Sequence, residues 1–256
     1  MILGLVVVIL YTISVVRKTK YNNVILHDNM IALDNRNMVP YVVPAERMTS
    51  LVALGQEFSY SFWIFLSGSY VITSGYKVLF QRGNTEVLGY VSPSTSPLVA
   101  MDPSTNRMYV AVSTTSVSAS MPLENVFSRP SGKFDSGFLV SYIDYVPLQR
   151  WVNVAVVVKD KNMFTYVDGD IYSVVSTGDI PVGDRPMIRG TTDDLTIGDR
   201  RNATPGYVSL TQFFNYALSQ RDAKAVYNRG PSKSSWLTLI GFGNYGVRNP
   251  VYKVAD

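Results

Sequence analysis

The chain has 256 residues, 46% of them hydrophobic and 16% charged, with a formal net charge of +4 and no cysteine. The missing cysteines exclude a disulfide framework, a thiolate metal site and a cysteine nucleophile. Arg17, Lys18 and Lys20 carry three of the positive charges, so the rest of the chain is close to neutral, which argues against a nucleic-acid groove lined with clustered Lys and Arg.

Residues 2–16 contain no charge and consist mainly of Ile2, Leu3, Leu5, Val6, Val7, Val8, Ile9, Leu10, Ile13, Val15 and Val16. A helix of that length spans about 22 Å, short of the ~30 Å hydrocarbon core. Snorkelling of the basic residues and local thinning of the bilayer close the gap. A cleaved signal peptide would carry basic residues before the apolar run and small residues after it. Here the order is reversed, so residues 1–20 read as a transmembrane anchor with a basic flank. The positive-inside rule puts Arg17, Lys18 and Lys20 beside cytosolic headgroups, with the body of the chain on the same side.

Residues 21–49 form a polar linker with short extended pieces at 24–26, 31–33 and 41–43, the last bracketed by Pro40 and Pro44. The only histidine, His27, sits among polar neighbours and is expected in a solvated turn. From residue 50 the pattern becomes β. Phe58, Tyr60 and Phe62 alternate with small residues and share one strand face. Further strands are expected at 70–73, 77–80, 86–91, 98–101 and 107–113, then a long loop, or a hairpin with weak strands, at 114–137. Strands resume at 138–143, 151–158, 163–168, 171–176, 195–198 and 206–214, separated by Gly, Pro, Asn, Asp and Ser. Many short strands at this spacing predict an all-β sandwich or barrel. Ser219 as N-cap with Asp222 three residues later opens one helix, which Gly230-Pro231 ends. Residues 232–256 form a glycine- and aromatic-rich tail.

Four segments in order resemble the laminin G-like, or concanavalin A-like, jelly roll. They are Phe58-Ser59 with Trp63; Trp151 to Val154 with Tyr166-Val167-Asp168-Gly169; residues 195–198; and Gly206 to Leu210 running into Ala217-Leu218-Ser219. The resemblance covers residues 50–231 and implies a sandwich of two antiparallel sheets. Phe58, Phe62, Trp63, Trp151 and Tyr166 are expected in its structural core, with Trp63 and Trp151 filling the space between the sheets.

The fold hosts glycosidases, lectins and adhesion modules, so function has to come from side chains. Glycosidases need paired carboxylates, and Glu46, Glu57, Glu86 and Glu124 have no acidic neighbour at strand spacing. No enzyme activity and no cofactor are expected. Asp102, Asp193, Asp194 and Asp199 are the loop acids open to calcium, although turn chemistry explains Asp193-Asp194 equally well. A glycan would use exposed aromatics such as Tyr70, Tyr90 or Tyr145. The leading expectation is a structural interaction protein. Its overall design resembles membrane-associated minor capsid proteins of large DNA viruses, which implies a body between a virion's inner membrane and its capsid lattice. A membrane-anchored lectin is the alternative.

Overall fold

The computed structural model describes residues 23–33, 40–48, 57–67, 73–83, 89–127, 137–179, 186–199 and 202–231. The expected anchor with its basic flank, the tail at 232–256, Tyr70 and Glu86 lie outside the described residues. Among the described residues no helix is long and apolar enough to cross a membrane.

Two antiparallel sheets face each other. The first runs in the order β1 (Asn23–His27), β15 (Gly206–Phe214), β4 (Glu57–Leu66), β11 (Trp151–Lys159), β12 (Asn162–Val167) and β13 (Asp170–Ser176), with β2 (Ile31–Ala32) also paired to β15. The second runs β10 (Phe138–Ile143), β8 (Met108–Ser113), β7 (Leu98–Met101), β5 (Lys77–Arg82), β14 (Leu195–Ile197) and β3 (Tyr41–Val43). This is a β-sandwich, one of the two outcomes that the strand spacing predicts, and of the jelly-roll type that the resemblance implies.

Period-two alternation builds the core. Phe58, Tyr60, Phe62 and Ile64 of β4 meet Val152, Val154, Val156 and Val158 of β11 on the inner face, all at most 5% exposed. The Phe62 ring stands edge-on to Phe80 of the opposite sheet at 4.7 Å. Burying each such side chain contributes about 1.5–3 kcal/mol. In β15 the register shifts between Ser209 and Gln212, where Leu210 has φ 43°. That bulge lets both Val208 and Phe213 face inward despite their odd spacing.

The same alternation overturns the expected place of the tryptophans. Trp63 is one residue out of phase with Phe62, so it lies on the outer face of the first sheet. It stacks there on Tyr227 at 5.6 Å. Trp151 is also outside the core cluster, half-buried and 5.5 Å from the Phe65 ring. Tyr166 joins Ala155, Val157 and Phe214 in an outer cluster. Phe58 and Phe62 alone of the five aromatics lie between the sheets.

A helix covers that outer cluster. Gln220–Asn228 is capped as the sequence predicts: the Ser219 hydroxyl accepts from the Asp222 amide, and the Asp222 carboxylate accepts from the Ser219 amide, both at 3.2 Å. Such a cap is worth about 1 kcal/mol. Gly230, at φ 83°, takes the left-handed position after the helix. The outer face of the second sheet is covered by Val91, Val117 and residues 121–127. The stretch after Thr114 contributes a weak strand, β9 (Met121–Pro122), which pairs not within a hairpin but with β6 (Tyr90–Val91), and an unexpected one-turn helix Leu123–Phe127. Leu123, Val126 and Phe127 pack on Leu98, Ala100 and Phe138. Among the described residues the two α-helices are, in chain order, α1 (Leu123–Phe127) and α2 (Gln220–Asn228).

The lateral sides close differently. Where β13 meets β10, the Ser141 and Ser173 hydroxyls hydrogen-bond, and Thr165 donates to Ser141 at 3.1 Å. Where β1 meets β3, Arg47 donates to the Ile25 and Leu26 carbonyls at 2.7 and 3.1 Å. His27 ends β1 on this side. It is half-buried, with its ring edge-on to Tyr41 at 4.5 Å, so the expected solvated turn is incorrect. Deeper inside, Arg82 is 5% exposed. It donates to the Tyr60 hydroxyl at 2.9 Å, the Met48 carbonyl at 3.1 Å and the Asp193 carbonyl at 2.9 Å. Burial pushes the Tyr60 phenol up to about 12, with Arg82 acting in the opposite sense.

Strand register also defines two ends. Asn23 pairs with Phe214, Phe214 with Ser59, and Glu57 with Lys159, which turns into Asn162 of β12. The opposite end holds Leu66, Gly206, Trp151 and the Asp168-Gly169 turn. Asp168 and Gly169 have φ 52° and 81°, the two left-handed positions of a type I′ hairpin turn.

Candidate functional site

Two loops and one bulge assemble the most distinctive surface, at the end of the sandwich away from Asn23. The first loop precedes β8. Asp102 accepts from the Ser104 amide at 2.8 Å, the Ser104 hydroxyl at 3.0 Å and the Thr105 amide at 2.9 Å. Burial opposes its charge, but these hydrogen bonds outweigh burial and hold the carboxyl below its ordinary value. The second loop follows β10, and its Val146 amide donates to the Asn106 carbonyl at 2.9 Å. The loops therefore hold each other in place.

Arg107 and Asp144 meet across them, with Nη2 to Oδ1 at 3.1 Å. The Arg107 guanidinium also lies 4.9 Å from the Tyr142 ring centroid. The β12–β13 register skips between Thr165 and Tyr166, so Tyr172 has no opposite residue on β12. This bulge aims its side chain at Asp144. The Tyr172 hydroxyl donates to Asp144 Oδ2 at 3.2 Å and accepts from the Asp144 amide at 3.0 Å. Tyr145 beside them is 61% exposed and Tyr172 44%. The result is a ledge of two exposed phenols next to a fixed carboxylate and guanidinium whose charges cancel.

A ledge of this kind presents aromatic area at low entropic cost, with polar groups held in one orientation. Of the aromatics named from the sequence for glycan contact, Tyr145 lies on it. Tyr90 is 46% exposed but sits on the separate β6–β9 ribbon. Arg107, Asp144 and Tyr172 were missed, because their meeting depends on loop pairing and on a bulge that no local pattern announces.

The other acidic candidates serve the loops. Asp193 Oδ2 accepts from the Ser94 hydroxyl at 2.7 Å and the Thr191 hydroxyl at 3.0 Å. Asp194 Oδ1 accepts from the Ala45 amide at 2.8 Å. Asp199 follows β14. The structure does not bring the three together as a calcium site: among the described residues no group of three or more His, Cys, Asp or Glu side chains could hold a metal. Glu46, Glu57 and Glu124 stand on a 3₁₀ turn, at the start of β4 and in α1.

Asp168, in the hairpin turn at this same end, accepts from Arg150 at 2.8 Å and from the Asn153 amide at 2.9 Å. Burial raises its pKa, with the Asn153 hydrogen bond and Arg150 opposing. A cleft nearby, lined by Leu66, Lys77, Met101, Thr105, Leu148 and Pro205, measures about 20 Å³, which is water-sized. Lys77 there is 2% exposed, and burial lowers its pKa against the pull of Asp102.

No family model matches the chain, and no curated protein matches it. Solved structures do. The botulinum neurotoxin serotype D binding domain superposes with a TM-score of 0.54 at 11% identity, covering 81% of this chain and 46% of that one. The serotype G binding domain gives 0.52 at 10% identity, again 81% and 46%. A serotype D ligand binding domain in complex with N-acetylneuraminic acid gives 0.53 at 12% identity with the same coverage. The chain therefore matches less than half the length of these neighbours. At such identities the likeness is one of fold, a β-sandwich jelly roll.

Proposed function

We propose that this chain is a non-enzymatic, laminin G-like interaction module tethered to a membrane, acting as a minor capsid protein that joins an internal virion membrane to the capsid lattice. One observation carries the reading: an uncharged apolar run at residues 2–16 is followed at once by Arg17, Lys18 and Lys20, and β1 of a closed sandwich begins only at Asn23. The apolar run partitions into lipid, the basic residues sit among headgroups, and the body on the cytosolic side binds its neighbours through loops and aromatics. Cross-linking mass spectrometry on the intact particle tests this. The expected result is repeated cross-links from the body to one abundant shell protein, lost when detergent strips the membrane. A body that floats with no lipid and cross-links to no shell protein overturns it.

The ledge favours a second reading, glycan binding. Phenol rings stack on sugar faces, while Asp144 and Arg107 offer fixed polar partners to hydroxyls. One structural neighbour was solved with N-acetylneuraminic acid bound. Binding of an immobilised glycan that disappears in Tyr145→Ala supports this reading over the first.

A further inference from the structure

Strand register and the position of the basic flank together fix how the body is presented, given the tether reading on which this rests. Only residues 21 and 22 separate Lys20 from Asn23, the first residue of β1. Even fully extended, the link from Lys20 to Asn23 reaches only about 10 Å. The end of the sandwich that holds Asn23 is therefore kept close to the headgroups. Register identifies that end: it carries Phe214, Glu57 and the β11–β12 turn with exposed Lys159. The strands then run away from it. β4 has ten residues, about 33 Å at strand rise. At the other extreme lie Leu66, Trp151, the Asp168-Gly169 turn and the Arg107–Asp144 ledge.

We infer that the sandwich stands end-on over the bilayer, with the β11–β12 turn beside lipid and the Tyr145/Tyr172 ledge facing outward as the surface that meets a protein partner of low net charge. The partner's character follows from the ledge. Among the described residues Arg107 is paired with Asp144, and Arg150 with Asp168, so these groups set internally balanced charges beside the rings. Exposed tyrosine with fixed arginine is the composition of protein-interface anchors. At the opposite end the β11–β12 turn is Lys159, Asp160, Lys161 and Asn162, which carries no ring.

The absence of cysteine makes the test direct. Full-length chains with Lys159→Cys or Tyr145→Cys are labelled with one fluorophore and reconstituted in phosphatidylcholine/phosphatidylserine vesicles carrying a headgroup acceptor. Energy transfer several-fold stronger from position 159 than from 145 is expected. Equal or reversed transfer in chains that float with the vesicles overturns the end-on arrangement while leaving the tether intact. Chains that do not float overturn the tether reading, and this inference with it. For the contact itself, a photo-cross-linker replaces Tyr145 in one chain and Lys159 in another, in the native membrane. A protein adduct at 145 that is missing at 159, and that Arg107→Ala weakens several-fold, is expected. A protein adduct at 159 alone, or none at either position, places the docking surface elsewhere.

Discussion

The two lateral sides of the sandwich solve one problem with opposite chemistry. Where β10 and β13 meet, three short hydroxyls, Ser141, Ser173 and Thr165, satisfy one another in a narrow seam. Where β1 and β3 meet, the gap is bridged by guanidinium groups that reach backbone carbonyls, Arg47 at the edge and Arg82 within. The hydroxyl seam is neutral and brings no net charge out of water. Arg82 brings one and spreads it over two carbonyls and a phenol, with no carboxylate among those three partners. Carbonyl acceptors also cap an exposed strand edge, since Arg47 occupies oxygens of β1 that an intruding strand could otherwise use. One side is therefore closed by fit, the other by a long-armed charge.

The largest break in that contrast is Arg82→Met. It removes the donor to two carbonyls and to the Tyr60 oxygen, which keeps only its own bond to Met48 Sδ at 3.8 Å, and is expected to cost about 3–5 kcal/mol in urea denaturation, with Arg82→Lys recovering only part. A loss below about 1 kcal/mol would mean that Arg82 is not what holds this side. Next comes the seam. Ser141→Ala and Ser173→Ala should each cost about 1 kcal/mol and be non-additive, because each deletes the other's partner, whereas Ser141→Ala with Arg82→Met should be additive.

The smallest effect is pH-dependent and belongs to the arginine side alone. Burial lowers the pKa of His27, Asp28 pulls it up, and Arg47 adds to the lowering. The unfolded chain then takes up the proton first as pH falls below 6.5. Stability is therefore full above that value and is lost as pH drops toward the lower folded pKa. His27→Gln should flatten this slope in denaturation at pH 7 and pH 5. Arg47→Met should lessen it as well.

Much of the frame was legible in the sequence. β4 and β11 show themselves by alternation, and α2 by Ser219, Asp222 and Gly230. The faces were less legible. By size Trp63 suits the space between the sheets, yet its parity with Phe62 sends it outward to Tyr227, and nothing before residue 219 hints at a helix waiting there. α1 hid in a Ser- and Pro-rich stretch because five residues carry too little periodicity to register. Arg82 and the ledge were invisible for a different reason. Their partners lie up to 111 residues away, and they meet only through sheet order.

The antiparallel pairing of β1 with β15 has a mechanical meaning. Hydrogen bonds between strands run perpendicular to the chain. A pull on Asn23 along the strand axis, resisted at the far end, loads the β1–β15 bonds together in shear. A sideways pull at the same residue would open them one after another, as a zipper opens. Tension along the strand axis is thus the direction in which the first strand is hardest to remove.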